Sequence, residues 1–149
     1  MKRNVTIKHP YLAIGVIALS SILACSCSED EKPAERRAID FAQNYYNMRY
    51  NQAIKLCTKE SRKWIEYKAS NIYQSDIDVI NSQSDTACST IDDIVIGNDE
   101  TSAIAKVTIN NVLTCDTIGK RGIMAKEIKR ELPMKKISGE WYVDLKQPI

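Results

Sequence analysis

Apolar residues change their spacing along this chain, and each spacing predicts a different element. From Tyr11 to Ala24 they run almost unbroken as "YLAIGVIALSSILA", interrupted by Ser20 and Ser21. From Ala34 the spacing becomes helical. Ala34, Ala38, Phe41, Tyr45 and Met48 follow one another at steps of four, three, four and three, which is one stripe of an amphipathic helix. Arg36, Arg37, Asp40, Gln43 and Asn44 fall mostly on its other side. "NQAIKLC" predicts a short second helix with Ala53, Ile54, Leu56 and Cys57 inward. "KESRKWIEYKASNIY" predicts a third, capped by Thr58, with Trp64, Ile65, Ala69, Ile72 and Tyr73 as its stripe.

The period then shortens to two. "DTACSTIDDIVIG" is rich in β-branched residues, and "GNDE" reads as a turn before "TSAIAKVTINNVL". In that second strand Ala103, Ala105, Val107 and Ile109 share a face. A loop, "CDTIGKRG", leads into "KEIKRELPMKKI", where Ile128, Leu132 and Met134 have one parity. Pro133 lacks a backbone donor and so implies an edge or a bulge. "SGE" turns the chain into "WYVDL", with Trp141, Val143 and Leu145 on one side. Helices first and strands second, without βαβ alternation, predict an α+β fold. About three N-terminal helices lie on one face of a curved, cone-like antiparallel sheet of about four strands.

The long apolar run is too short for the roughly 20 residues that span a bilayer. Lys2, Arg3 and Lys8 precede it, and small residues close it. That is the form of a secretory signal. "SILAC" and "LACSC" at its exit resemble the bacterial lipobox, which implies cleavage before a cysteine that becomes acylated. Cys25 has Ile22 three positions upstream, whereas Cys27 is followed by "SEDE". "CSEDE" resembles the acidic signal that sends some Gram-negative lipoproteins to the outer face of the outer membrane. Cys27 is therefore preferred, with Cys25 as the alternative. The organisation expected is a lipoprotein signal at 1–26, an acidic tether at 27–33 and an α+β domain at 34–149. The location expected is the outer membrane and its outer surface, with the periplasmic face as the alternative.

Charge supports this division. Of 21 basic side chains three lie in the leader, leaving 18 against 19 acids. No basic stripe survives, which argues against nucleic acid as a partner. Lys126, Lys129 and Arg130 alternate with Glu127 and Glu131 and read as a solvated face.

The stretches "AIDFAQNYYNMRYNQAIKLCTKES", "IDDIVIGNDETSAIAKVTI" and "KKISGEWYVDL" together resemble the small lipoprotein branch of the nuclear-transport-factor-2-like, cystatin-like superfamily. Gly139, Trp141, Val143 and Leu145 fill a terminal "dG-x-W-x-V-x-L" pattern, with Ser138 in place of the aspartate. Gly97 and Asp99 fill a middle "G-D" pattern with Asn98 inserted. The resemblance covers most of residues 33–146. It implies a cone-shaped domain, and its motifs are structural.

Chemistry is sparse. The single histidine, His9, lies in the leader, so the rest of the chain lacks an imidazole for nucleophilic catalysis or for a histidine metal site. No Gly-rich phosphate loop occurs. No cofactor and no metal are expected. Some enzymes of this fold pair a carboxylate with a phenol inside the cone. Here Tyr45, Tyr46 and Tyr67 are possible donors and Asp40 or Asp76 a possible acid, but nothing in the sequence opposes them. Asp92 and Asp93 are neighbours on a strand and face opposite sides unless a bulge intervenes. Tyr45, Trp64 and Tyr67 are the aromatic candidates for lining a pocket. Cys57, Cys88 and Cys115 permit a disulfide outside the cytoplasm, with one left over. A regular 97–100 hairpin would set Cys88 roughly opposite Ile109, which argues against an 88–115 bridge. Three buried thiols are the other reading.

The function expected is a membrane-anchored lipoprotein that binds a protein or small molecule without catalysis. A cone enzyme acting on a small hydrophobic substrate, and an inhibitor or immunity-type protein, are the alternatives.

Overall fold

The computed structural model describes residues 31–115 and 121–149. The leader, Cys25 and Cys27 lie outside the described residues, and so does most of the tether. The first helix, α1, runs Glu31–Tyr46. It begins three residues before the expected domain boundary, with Pro33 in its first turn, where its missing N–H removes no helical bond. Ala34, Ala38, Phe41, Ala42 and Tyr45 are buried along it. Met48 lies past the helix end at φ 58. Met48 N–H donates to Tyr45 O at 3.1 Å and Arg49 N–H to Asn44 O at 2.8 Å, the two bonds of a Schellman stop.

Next come α2 (Tyr50–Ala53), a 3₁₀ turn (Ile54–Leu56), a second 3₁₀ turn (Lys59–Ser61) and α3 (Arg62–Ser70). Thr58 caps no helix through its side chain. Its hydroxyl lies 2.7 Å from Ser61 Oγ and donates to Asp144 Oδ1 at 2.9 Å. Only Ile65 of the predicted α3 stripe is fully buried. Trp64 and Ile72 are half-buried, while Ala69 and Tyr73 face solvent. A fourth helix, α4 (Gln74–Asn81), was not expected.

Four strands follow: β1 (Cys88–Ile96), β2 (Ser102–Thr114), β3 (Ile123–Ile137) and β4 (Glu140–Val143). They form one antiparallel sheet in the order β1-β2-β3-β4. This is the expected α+β arrangement, with α1 laid against the sheet. Ala103, Ala105, Val107 and Ile109 of β2, Leu132 and Met134 of β3, and Trp141, Val143 and Leu145 near the C-terminus build the core with α1. Asn111, at φ 54, lies between Ile109 and Val112, and the buried parity of β2 switches there.

Pro133 sits where β4 ends. Its carbonyl accepts Asp144 N–H at 2.7 Å, and its nitrogen points to the same side, beyond the last β4 pair. No bond to β2 is lost, which is the edge position its ring requires. The β3–β4 turn places Ser138 at φ 52 and Gly139 at φ 86, a type I′ turn whose two central residues both need positive φ.

Both outer rims of the sheet are partly covered. Along β1, Gln43 Nε2 donates to Ala87 O and Ser89 N–H to Gln43 Oε1 at 3.0 Å. Asn47 Nδ2 donates to the same Ala87 O at 2.9 Å, and Asn47 Oδ1 accepts Ala87 N–H at 3.0 Å. Along β4, Cys57 bridges Val143 in parallel, and Thr58 N–H donates to Val143 O at 2.9 Å.

Candidate functional site

At the end of the cone beside the C-terminus of α1, the packing leaves a small cavity among the described residues. Tyr45 and Tyr46 reach it from α1, Tyr50 from α2 and Lys68 from α3. Leu113 of β2, Ile128 and Arg130 of β3, and Ile149 complete most of the wall. Its volume is about 20 Å³, room for about one water molecule. The C-terminal segment borders it, and Tyr45 OH donates to Ile149 O at 2.9 Å.

The phenols form a cluster. Tyr45 stacks on Phe41 at 5.7 Å and meets Tyr46 and Tyr50 edge-on at 5.1 and 5.6 Å. Burial pushes the Tyr45 pKa up, and the neighbouring Tyr46 and Tyr50 add to that rise. Burial also raises Tyr50, followed by the charges of Cys115 and Asp76. Tyr45 and Tyr50 therefore keep their protons at neutral pH. At the rim Lys68 Nζ donates to Cys115 O at 3.2 Å.

Among the described residues no Asp or Glu side chain lines this cavity. Asp40 is exposed on the outer side of α1. Asp76 is 1% exposed, and each of its oxygens accepts one backbone N–H. Oδ2 accepts Tyr73 N–H at 3.0 Å, and Oδ1 accepts Gly122 N–H at 2.9 Å. Asp76 thus caps α4 and pins it to the start of β3.

The aromatic candidates separate. Tyr45 lines the cavity, Trp64 packs half-buried beneath Lys63 with Nζ 4.7 Å from its ring centre, and Tyr67 is 46% exposed. The three form no common pocket. Sequence reasoning missed Tyr50, Lys68, Arg130 and Ile149. For Arg130 the signal was present: it shares parity with the inward residues Ile128 and Leu132, and it lines the cavity rather than a solvated face.

No disulfide joins Cys57, Cys88 or Cys115. Cys57 is buried in extended conformation just after the 3₁₀ turn, its thiol pushed up to about 11 by burial and donating to Ile54 O at 3.4 Å. Cys88 is exposed on β1, and Cys115 is half-buried at the cavity rim. A bulge between Ile91 and Asp93 moves Cys88 opposite Asn110 rather than Ile109. The same bulge brings Asp92 and Asp93 to partners on one face of β2. Asp92 accepts Thr108 Oγ1 at 2.6 Å, and Asp93 pairs with Lys106 at 3.1 Å. Each carboxylate thus has its own partner. Among the described residues no group of three or more His, Cys, Asp or Glu side chains could hold a metal ion, and no helix is long and apolar enough to cross a membrane.

No family model matches this chain, and no curated protein does. Among solved structures it is similar to a Campylobacter jejuni protein provisionally named an NTF2-like transpeptidase. The two are 14% identical with a TM-score of 0.44, over 75% of this chain and 97% of that one. The activity of this chain does not follow from that likeness.

Proposed function

We propose that this chain is an acylated envelope lipoprotein whose cone binds a partner and performs no catalysis. The observation that carries the binding reading is the small size of the tyrosine cavity among the described residues. The cavity has room for about one water molecule, and the buried Asp76 carboxylate is held by two backbone N–H groups. Recognition then falls to the outside. The membrane reading rests on the apolar run that ends at Cys25 and Cys27, followed by Glu29, Asp30 and Glu31. Acyl chains contribute about 0.8 kcal/mol per buried CH₂, and stable attachment needs more than one chain.

A protein partner is favoured over a small molecule by one feature of the open sheet face. Val95 of β1 and Ile104 of β2 are direct cross-strand neighbours, 53% and 45% exposed, and Pro133 continues the row on β3. This feature also fits an inhibitor-type role.

Intact mass after mild detergent extraction tests the anchor. The expected result is a lipid increment on the N-terminal cysteine that disappears, with the membrane fraction, in a Cys25→Ser/Cys27→Ser double variant. An unmodified N-terminus would overturn the anchor. A photo-crosslinking residue at position 104, activated in intact cells, is expected to give one discrete protein adduct. A smear equal to that from an exposed control position would remove the protein-partner reading.

A further inference from the structure

The tether has a consequence for how the cone stands on its membrane. Three residues separate Cys27 from Glu31, where α1 begins. Their Cα atoms are at most about 14 Å apart, or about 21 Å if Cys25 carries the lipid. The N-terminal end of α1 is thus held near the bilayer. That end of the helix lies against the β3–β4 hairpin. Arg37 Nη2 is 3.7 Å from Glu140 Oε2, and its guanidinium is 5.1 Å from the Tyr142 ring centre. The other end of α1, through Gln43 and Asn47, meets the start of β1, and the tyrosine cavity opens there.

At the bilayer end an open groove of about 460 Å³ runs between the 57–62 segment and the hairpin tip. Lys59, Glu60 and Arg62 line one side, and Ile137, Ser138 and Tyr142 the other. Lys59 and Arg62 are exposed and form no ion pair with a carboxylate among the described residues. Ile137, 42% exposed, projects beside the tight turn. Two cations, the Ser138 and Tyr142 hydroxyls and an apolar wedge are therefore placed together at the end that the tether holds closest to lipid. Glu60 is the one acid on the groove wall.

We infer that this groove seats phospholipid headgroups and docks the cone with its hairpin tip against the bilayer. Lys59 and Arg62 face the phosphate, where a negative surface potential attracts them, and Ile137 enters between headgroups. The tyrosine cavity then faces away from the membrane. This inference rests on the acylation proposed above.

The test uses the full acylated chain in vesicles of phosphatidylglycerol and phosphatidylcholine with brominated acyl chains. Ile137→Trp reports the hairpin tip, and Asp85→Trp reports the opposite end. The wild-type signal from Trp64 and Trp141 is subtracted. The expected result is quenching at position 137 at least threefold above that at position 85. It should fall when salt is raised, and in a Lys59→Gln/Arg62→Gln variant of unchanged melting temperature. Equal quenching at both positions, in protein that carries its lipid mass and floats with the vesicles, would overturn the docking and leave the anchor intact. Protein without lipid mass would overturn the anchor, and this inference with it.

Discussion

Single side chains decide what this cone can do. Asp76 has the burial expected of a catalytic acid, yet its oxygens hold the ends of two backbone segments. Asp99 plays the equivalent part in the β1–β2 turn. Its Oδ1 accepts Thr101 N–H at 3.0 Å, Ser102 N–H at 2.9 Å and Ser102 Oγ at 2.8 Å. The Thr101 N–H contributes most, and together these donors hold its pKa down at about 2. A carboxylate depressed in the fold contributes its stabilisation fully above its unfolded value, about 3.9. That contribution is lost as pH falls through the folded value. A side-chain NMR titration should therefore find the Asp99 midpoint near 2, and Ser102→Ala should move it upward.

At the scale of elements, the sequence was most readable where one periodicity served one core. The α1 stripe was correct through Tyr45, and the parities of β2, β3 and β4 correctly placed Ala103 to Ile109, Leu132, Met134, Trp141 and Val143 in the interior. It failed where contacts distant in sequence made the element. In α4, Ile77 is exposed and Val79 and Ile80 are half-buried, so no stripe announces it. Its start is fixed by the reciprocal Tyr73–Asp76 cap and by Gly122. The cavity was legible at Tyr45 and, by parity, at Arg130. Tyr50, Lys68 and Ile149 come from segments whose approach only the folded chain reveals.

Another such contact can be tested in α1. Gln43 lies off the apolar stripe of α1, yet its amide covers the start of the β1 rim. Gln43→Leu leaves Ser89 N–H without that acceptor, at a cost of about 1–3 kcal/mol. The urea midpoint should fall accordingly with an unchanged slope.

For the molecule as a whole, its two ends differ in character. One carries the hairpin turns and the start of α1. The other carries the phenol cluster beneath the C-terminal segment. The Tyr45–Ile149 bond joins the last turn of α1 to that segment across the chain. Tyr45→Phe removes one hydrogen bond and should cost about 1 kcal/mol. Faster amide exchange in residues 144–149, with little change in β2, would locate the loss in that segment.

The amides on β1 and the strand-like segment beside β4 have a meaning beyond the single copy. Copies confined to a surface meet one another far more often than freely diffusing ones, and bare strand rims would let them knit into ribbons. Gln43 and Asn47 occupy backbone positions that an intruding neighbour would need, as does Thr58 on the far side. In copies acylated as proposed above, these contacts would block edge-to-edge pairing at the start of β1 and along β4.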